Sequence, residues 1–173
     1  MRDPESRAIG LLLGWVALLT TVVVTPWASF DPINVPKLAV ICVGGFMALG
    51  VLCANRKAIW DSKYRTVSVL VTAFLIHLTL VLFISGTNFS QEFFGTAGRS
   101  TGYLAYVGLL FLLLGAAISA GIFSLKSVSL SLIVAGFLSI IYGVAQSAGL
   151  DPIKWANPYT PVIGFLGNPN FQS

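Results

Sequence analysis

At 173 residues, 56% of them hydrophobic and only 9% charged, the chain has the composition of a membrane protein, which excludes an ordinary water-soluble domain. Its formal net charge of +4 does not imply a nucleic-acid partner, because no basic cluster lies beside stacking aromatics away from the flanks of the apolar runs. The two cysteines, Cys42 and Cys53, share one apolar run. On a helix they stand roughly 16 Å apart, too far to bridge, so they say nothing about redox compartment.

Runs of about 20 apolar residues match a hydrocarbon core of roughly 30 Å at 1.5 Å of helical rise per residue. Five such runs occur, at approximately 8–27, 35–54, 66–86, 101–122 and 127–147. The expected fold is therefore all-α, a polytopic transmembrane helical bundle forming one membrane domain over 1–173, with an outer segment at 148–173 leading towards a sixth span. Met1–Trp27 is read as a retained first span: its apolar part is too long for a signal peptide, and no convincing small-x-small cleavage site precedes Asp31.

With the N-terminus in the cytoplasm, the inner segments hold Arg2, Arg7, Arg56, Lys57, Lys63, Arg65 and Lys126, and the outer loops hold only Lys37, Arg99 and Lys154. That asymmetry favours this orientation. Most of it comes from the Asn55–Arg65 connection, where four cations flank Trp60 and Tyr64. Its simplest role is a solvated basic loop that fixes topology, with lipid headgroup binding as the more specific alternative.

Small residues at four-residue spacing mark the faces on which spans can approach closely. They are Gly10 and Gly14 in the first span, Gly115 with Ser119 and Ala117 with Gly121 in the fourth, and Ser139, Gly143 and Ser147 in the fifth. Packing within the chain is their expected role. His77, the single histidine, falls near the middle of the third span, where an ionisable group is expensive. A hydrogen bond to a neighbouring helix accounts for it, and no second ionisable residue inside a span offers a proton relay.

Two outer segments carry the unusual chemistry. In Gly86–Tyr106 the one cation is Arg99, with Gly95 and Gly98 freeing the backbone beside it and Phe93, Phe94, Tyr103 and Tyr106 forming an interfacial collar. An arginine so placed suits a bidentate hold on phosphate, though snorkelling to lipid phosphate is the plainer reading. In the last segment, Asp151-Pro152 and Asn157-Pro158 favour turns, and Gly167-Asn168-Pro169-Asn170 offers two amides around a proline. The same four residues also read as a helix-entry turn.

Taken together, FGTAGRSTGYLAYVGLLFLLL and the later GLDPIKWANPYTPVIGFLGNPNF resemble the amino-terminal half of the O-antigen ligase and polymerase family of bacterial membrane glycosyltransferases. These segments cover about a quarter of the chain; elsewhere the likeness is one of hydropathy and topology. The resemblance implies a multi-pass protein of the bacterial cytoplasmic membrane that uses polyprenyl-diphosphate-linked oligosaccharide as substrate and needs no metal or other cofactor. It implies that Arg99 helps hold the diphosphate or the acceptor, and that Asn168 and Asn170 shape the mouth of the cavity. The family's large later outer loop, to which catalysis is usually assigned, has no counterpart before Ser173. No catalytic residue is therefore expected in this chain, and by itself it is expected to be inactive. A transporter or channel subunit, or a non-catalytic membrane scaffold, is the alternative class.

Overall fold

The computed structural model describes residues 3–27, 31–96, 98–119, 122–151, 153, 155 and 162–166. These residues form helices only: α1 (Asp3–Val22), α2 (Asn34–Ala54), α3 (Arg56–Ile59), α4 (Arg65–Ile84), α5 (Phe89–Phe94), α6 (Tyr103–Ser119) and α7 (Ile122–Ser147). α1, α2, α4 and α7 are each long and apolar enough to cross a membrane, and α6 is a shorter apolar helix of 17 residues. The chain is a membrane-embedded helical bundle, as its apolar runs require.

Two boundaries differ from the sequence expectation. The first helix ends at Val22, not at position 27. The Thr25 amide donates to the Pro32 carbonyl at 2.8 Å, which closes a loop, while Pro26 disfavours helical backbone at Thr25. The fourth and fifth runs are separated by little chain, since α7 begins at Ile122 and carries Lys126 within the helix.

α6 is the hub, packing on α1, α2, α4 and α5, while α7 packs chiefly on α1. Small residues set these approaches. A Cβ on Gly45 of α2 would stand 2.5 Å from the carbonyl oxygen of Gly108 on α6, so the two backbones touch. Gly10 faces Ser124 of α7, and Gly14 faces Ser127 and Ser131 of α7, so the first-span motif serves packing within the chain. Gly115 faces Ala48 and Ile9, and the Ser119 hydroxyl donates to the Gly115 carbonyl at 2.7 Å. Gly121 lies outside the described residues. The Ser139–Gly143–Ser147 face departs from this pattern: together with Thr21 it lines an open groove.

The apolar core, Ile9, Leu52, Leu114 and Ile118, lies toward the end of the bundle that bears Arg56, Lys57, Lys63 and Arg65. There the Ser68 hydroxyl donates to the Ile59 carbonyl at 2.6 Å and ties the basic connection to α4. The Lys63 ammonium sits 5.1 Å from the centre of the Tyr64 ring. Among the described residues His77 makes no hydrogen bond to another helix. It is exposed on the outward face of α4, with its ring 6.3 Å from that of Phe74.

Candidate functional site

The opposite end of the bundle gathers the carboxyl ends of α1, α4 and α7 and the amino ends of α2 and α6. The α4–α6 connection crosses this end and carries Arg99. The Asn88 side chain caps α5 by accepting from the Ser90 amide at 3.0 Å, and α5 stops at Gly95, whose φ of +94° belongs to glycine. The amides of Arg99 and Ser100 then both donate to the Thr96 carbonyl, at 3.1 and 3.2 Å. Gly98 (φ +82°) and Ser100 (φ +51°) turn the chain on either side of Arg99. Gly95 and Gly102 also lie against each other's backbone, since a Cβ on Gly95 would meet the Gly102 amide nitrogen at 2.8 Å and one on Gly102 would run into the Gly95 amide nitrogen.

The result is a built turn with an exposed guanidinium at its tip. It is moored to the bundle by Asn34, whose side-chain amide donates to the Gly98 carbonyl at 2.9 Å. Asp31 holds Asn34 in place, its Oδ1 accepting from the Asn34 backbone amide at 2.8 Å and from the side-chain amide at 3.0 Å. Beside the turn, between α2, α5 and α6, lies a hollow of roughly 640 Å³. Leu38, Cys42 and Leu104 line its apolar side, and Ser90, Gln91 and Ser100 line its polar side. A chain with an apolar tail and a polar head matches that division.

The last segment is held by a second set of contacts at the same end. Gln146 on α7 is 2% exposed, and its Oε1 accepts from the Ile163 and Gly164 amides at 3.0 and 2.7 Å. Its Nε2 donates to Asp151 Oδ2 at 2.7 Å. Tyr142 donates to the same carboxylate at 3.1 Å, accepts from the Trp155 indole at 2.9 Å, and stacks on Phe165 with ring centroids 4.4 Å apart. Burial pushes the Asp151 carboxyl up, but the donors Gln146, the Ile153 amide, Tyr142 and Trp155 outweigh it and hold the group below the usual carboxylate range. Lys37 belongs to the first turns of α2 and not to a free outer loop; its ammonium donates to the Phe165 carbonyl at 2.7 Å.

Of the residues singled out from sequence, Arg99 is therefore placed on the turn, while Asn168 and Asn170 lie outside the described residues. Sequence reasoning missed Asn34, Lys37, Tyr142 and Gln146. The one local signal was an amide and a phenol within the last turns of an apolar run, directly before a Gly-Leu-Asp-Pro turn. No family model, curated protein or solved structure matches the chain.

Proposed function

We propose that this chain belongs to an O-antigen ligase-like membrane glycosyltransferase, which transfers or polymerises oligosaccharide carried on polyprenyl diphosphate. One observation carries the reading. Arg99 stands exposed on a turn pre-set by three residues with positive φ, moored through Asn34, beside a hollow with one apolar and one polar side. A lipid-linked diphosphate has the same division, and a guanidinium fork pairs with phosphate oxygens without reorganising the turn. The acceptor hydroxyl attacks the anomeric carbon and gives up its proton to solvent, the bond from that carbon to the diphosphate oxygen breaks, and the leaving diphosphate collects negative charge near Arg99.

In this reading the membrane is the bacterial cytoplasmic membrane. The Arg56–Arg65 end faces the cytoplasm, in keeping with its excess of cations, and the Arg99 end faces outward. In cells that depend on the protein for glycan transfer, Arg99→Ala abolishes or strongly reduces transfer while membrane insertion is unchanged. Normal transfer by that variant overturns the assignment.

A further inference from the structure

The connection from α2 to α4 lies at the end of the bundle opposite Arg99, and glycan transfer as described above makes no use of it. Between Asn55 and Arg65 it carries Arg56, Lys57, Lys63 and Arg65 against one carboxylate, Asp61.

This connection is a packed platform. Ala58, Ile59 and Tyr64 lie against the core of Ile9, Leu52, Leu114 and Ile118, and the buried Ser68 hydroxyl donates to the Ile59 carbonyl at 2.6 Å. The Ala58, Asp61 and Tyr64 amides donate in succession to the carbonyls of Asn55, Ala58 and Asp61, so the backbone passes through closed turns from one helix to the next. Arg56, Lys57, Trp60, Lys63 and Arg65 remain exposed.

The positive charge is uncompensated. None of the four cations forms an ion pair among the described residues. Asp61 turns Oδ1 back to the Lys63 amide at 3.0 Å and so serves the turn. Four cations held on one packed segment attract phosphate, through guanidinium forks at the arginines and through point charge at the lysines. Trp60 decides the source of that phosphate. It is 63% exposed beside the cations, where an indole suits the headgroup level of a bilayer. Val69 and Leu70, one turn along α4 from Arg65, add apolar surface that is 48% and 63% exposed. A soluble anion has no use for such surface, whereas the acyl chains of a phospholipid cover it.

We propose that the Asn55–Arg65 connection is a binding site for an anionic phospholipid. Arg56, Lys57, Lys63 and Arg65 hold the headgroup phosphate, Trp60 anchors the connection at that depth, and the acyl chains run along Val69 and Leu70. The site stands whether or not the other end of the bundle holds a lipid-linked diphosphate.

The test is a lipid titration of the full chain in detergent, followed by native mass spectrometry, with phosphatidylglycerol as the anionic probe and phosphatidylcholine as the zwitterionic one. Phosphatidylglycerol is expected to bind at least ten-fold more tightly. Arg56→Gln, Lys57→Gln, Lys63→Gln and Arg65→Gln should each weaken it about five-fold, the effect of one cation at an anionic surface, and leave phosphatidylcholine unchanged. Trp60→Ala should weaken both lipids two-fold or more. Lys126→Gln removes an exposed cation at the same end of the bundle but outside the connection, and should weaken phosphatidylglycerol less than two-fold. Unaltered thermal midpoints separate lost binding from lost folding. Equal affinity for the two lipids overturns the proposal, as does parent-like binding by the four charge variants. A loss in Lys126→Gln as large as in Arg56→Gln also overturns it, because diffuse surface charge then accounts for the preference. Displacement of the lipid by inorganic phosphate assigns the cations to a soluble anion and overturns it too.

Discussion

The side-chain amide of Asn34, at the first position of α2, donates to the carbonyl of Gly98 at 2.9 Å and so fixes the turn that presents Arg99. These residues are 64 positions apart, and their bond joins the α1–α2 corner to the α4–α6 connection. Asn34→Ala removes the mooring without touching Arg99. One neutral hydrogen bond at a partly exposed site contributes about 0.5–1.5 kcal/mol. The variant should therefore bind a phosphate-bearing lipid roughly 2- to 10-fold more weakly, read as a Kd in nanodiscs. An unchanged Kd means that the turn holds its shape unaided.

The contact of Gly45 with Gly108 makes a second prediction. Gly45→Ala forces a methyl group into the Gly108 backbone, where no flexible side chain can give way. Overpacking of this kind costs about 1–3 kcal/mol, so the variant should melt at lower temperature in detergent. Gly50, with nothing within 4 Å of its would-be Cβ, should accept alanine without loss. Equal melting of the two variants contradicts the packing described.

Gln146 makes a third. Gln146→Leu leaves the Ile163 and Gly164 amides without their acceptor and Asp151 without one donor. Each orphaned buried group costs about 1–3 kcal/mol. Hydrogen exchange at Ile163 and Gly164 should accelerate at least ten-fold, with the α2–α6 contact unaffected. Parent-like exchange shows that the clamp is dispensable.

The acid dependence of that clamp follows from Asp151. Its carboxyl lies lower in the folded chain than in the unfolded one, so its contribution is full above the ordinary carboxylate value. It is lost as pH falls through the depressed folded value. The protection factor of the Ile153 amide, taken against the intrinsic exchange rate at each pH, should fall on acidification, and Asp151→Asn should flatten that dependence. A fall of equal size in Asp151→Asn assigns it to another group.

How much of this was legible in sequence depends on the range of the interaction. Helices arose where apolar length demanded them, and Gly10 with Gly14 marked a packing face, because both signals repeat along one element. The Gly95 and Gly98 pair marked the Arg99 turn for the same local reason. His77 was misjudged because periodicity within α4 does not say which face lacks a neighbour. Lys37 and Gln146 were invisible as partners of the last segment, since their contacts span 128 and 17–18 positions and have no spacing rule.

Orientation can be read from two single cysteines in a background lacking Cys42 and Cys53. Ser90 and Ser62 are both exposed, at opposite ends of the bundle. In intact cells an impermeant maleimide should label Ser90→Cys and spare Ser62→Cys. The reverse pattern inverts the proposed topology.

The central claim is that the Arg99 turn holds the diphosphate of a lipid-linked substrate, and the most direct measurement is the Kd for polyprenyl diphosphate in nanodiscs. Arg99→Ala should weaken it ten-fold or more and Arg99→Lys by less, because lysine keeps the charge and loses the fork. Equal Kd values for the parent and Arg99→Ala would contradict the account.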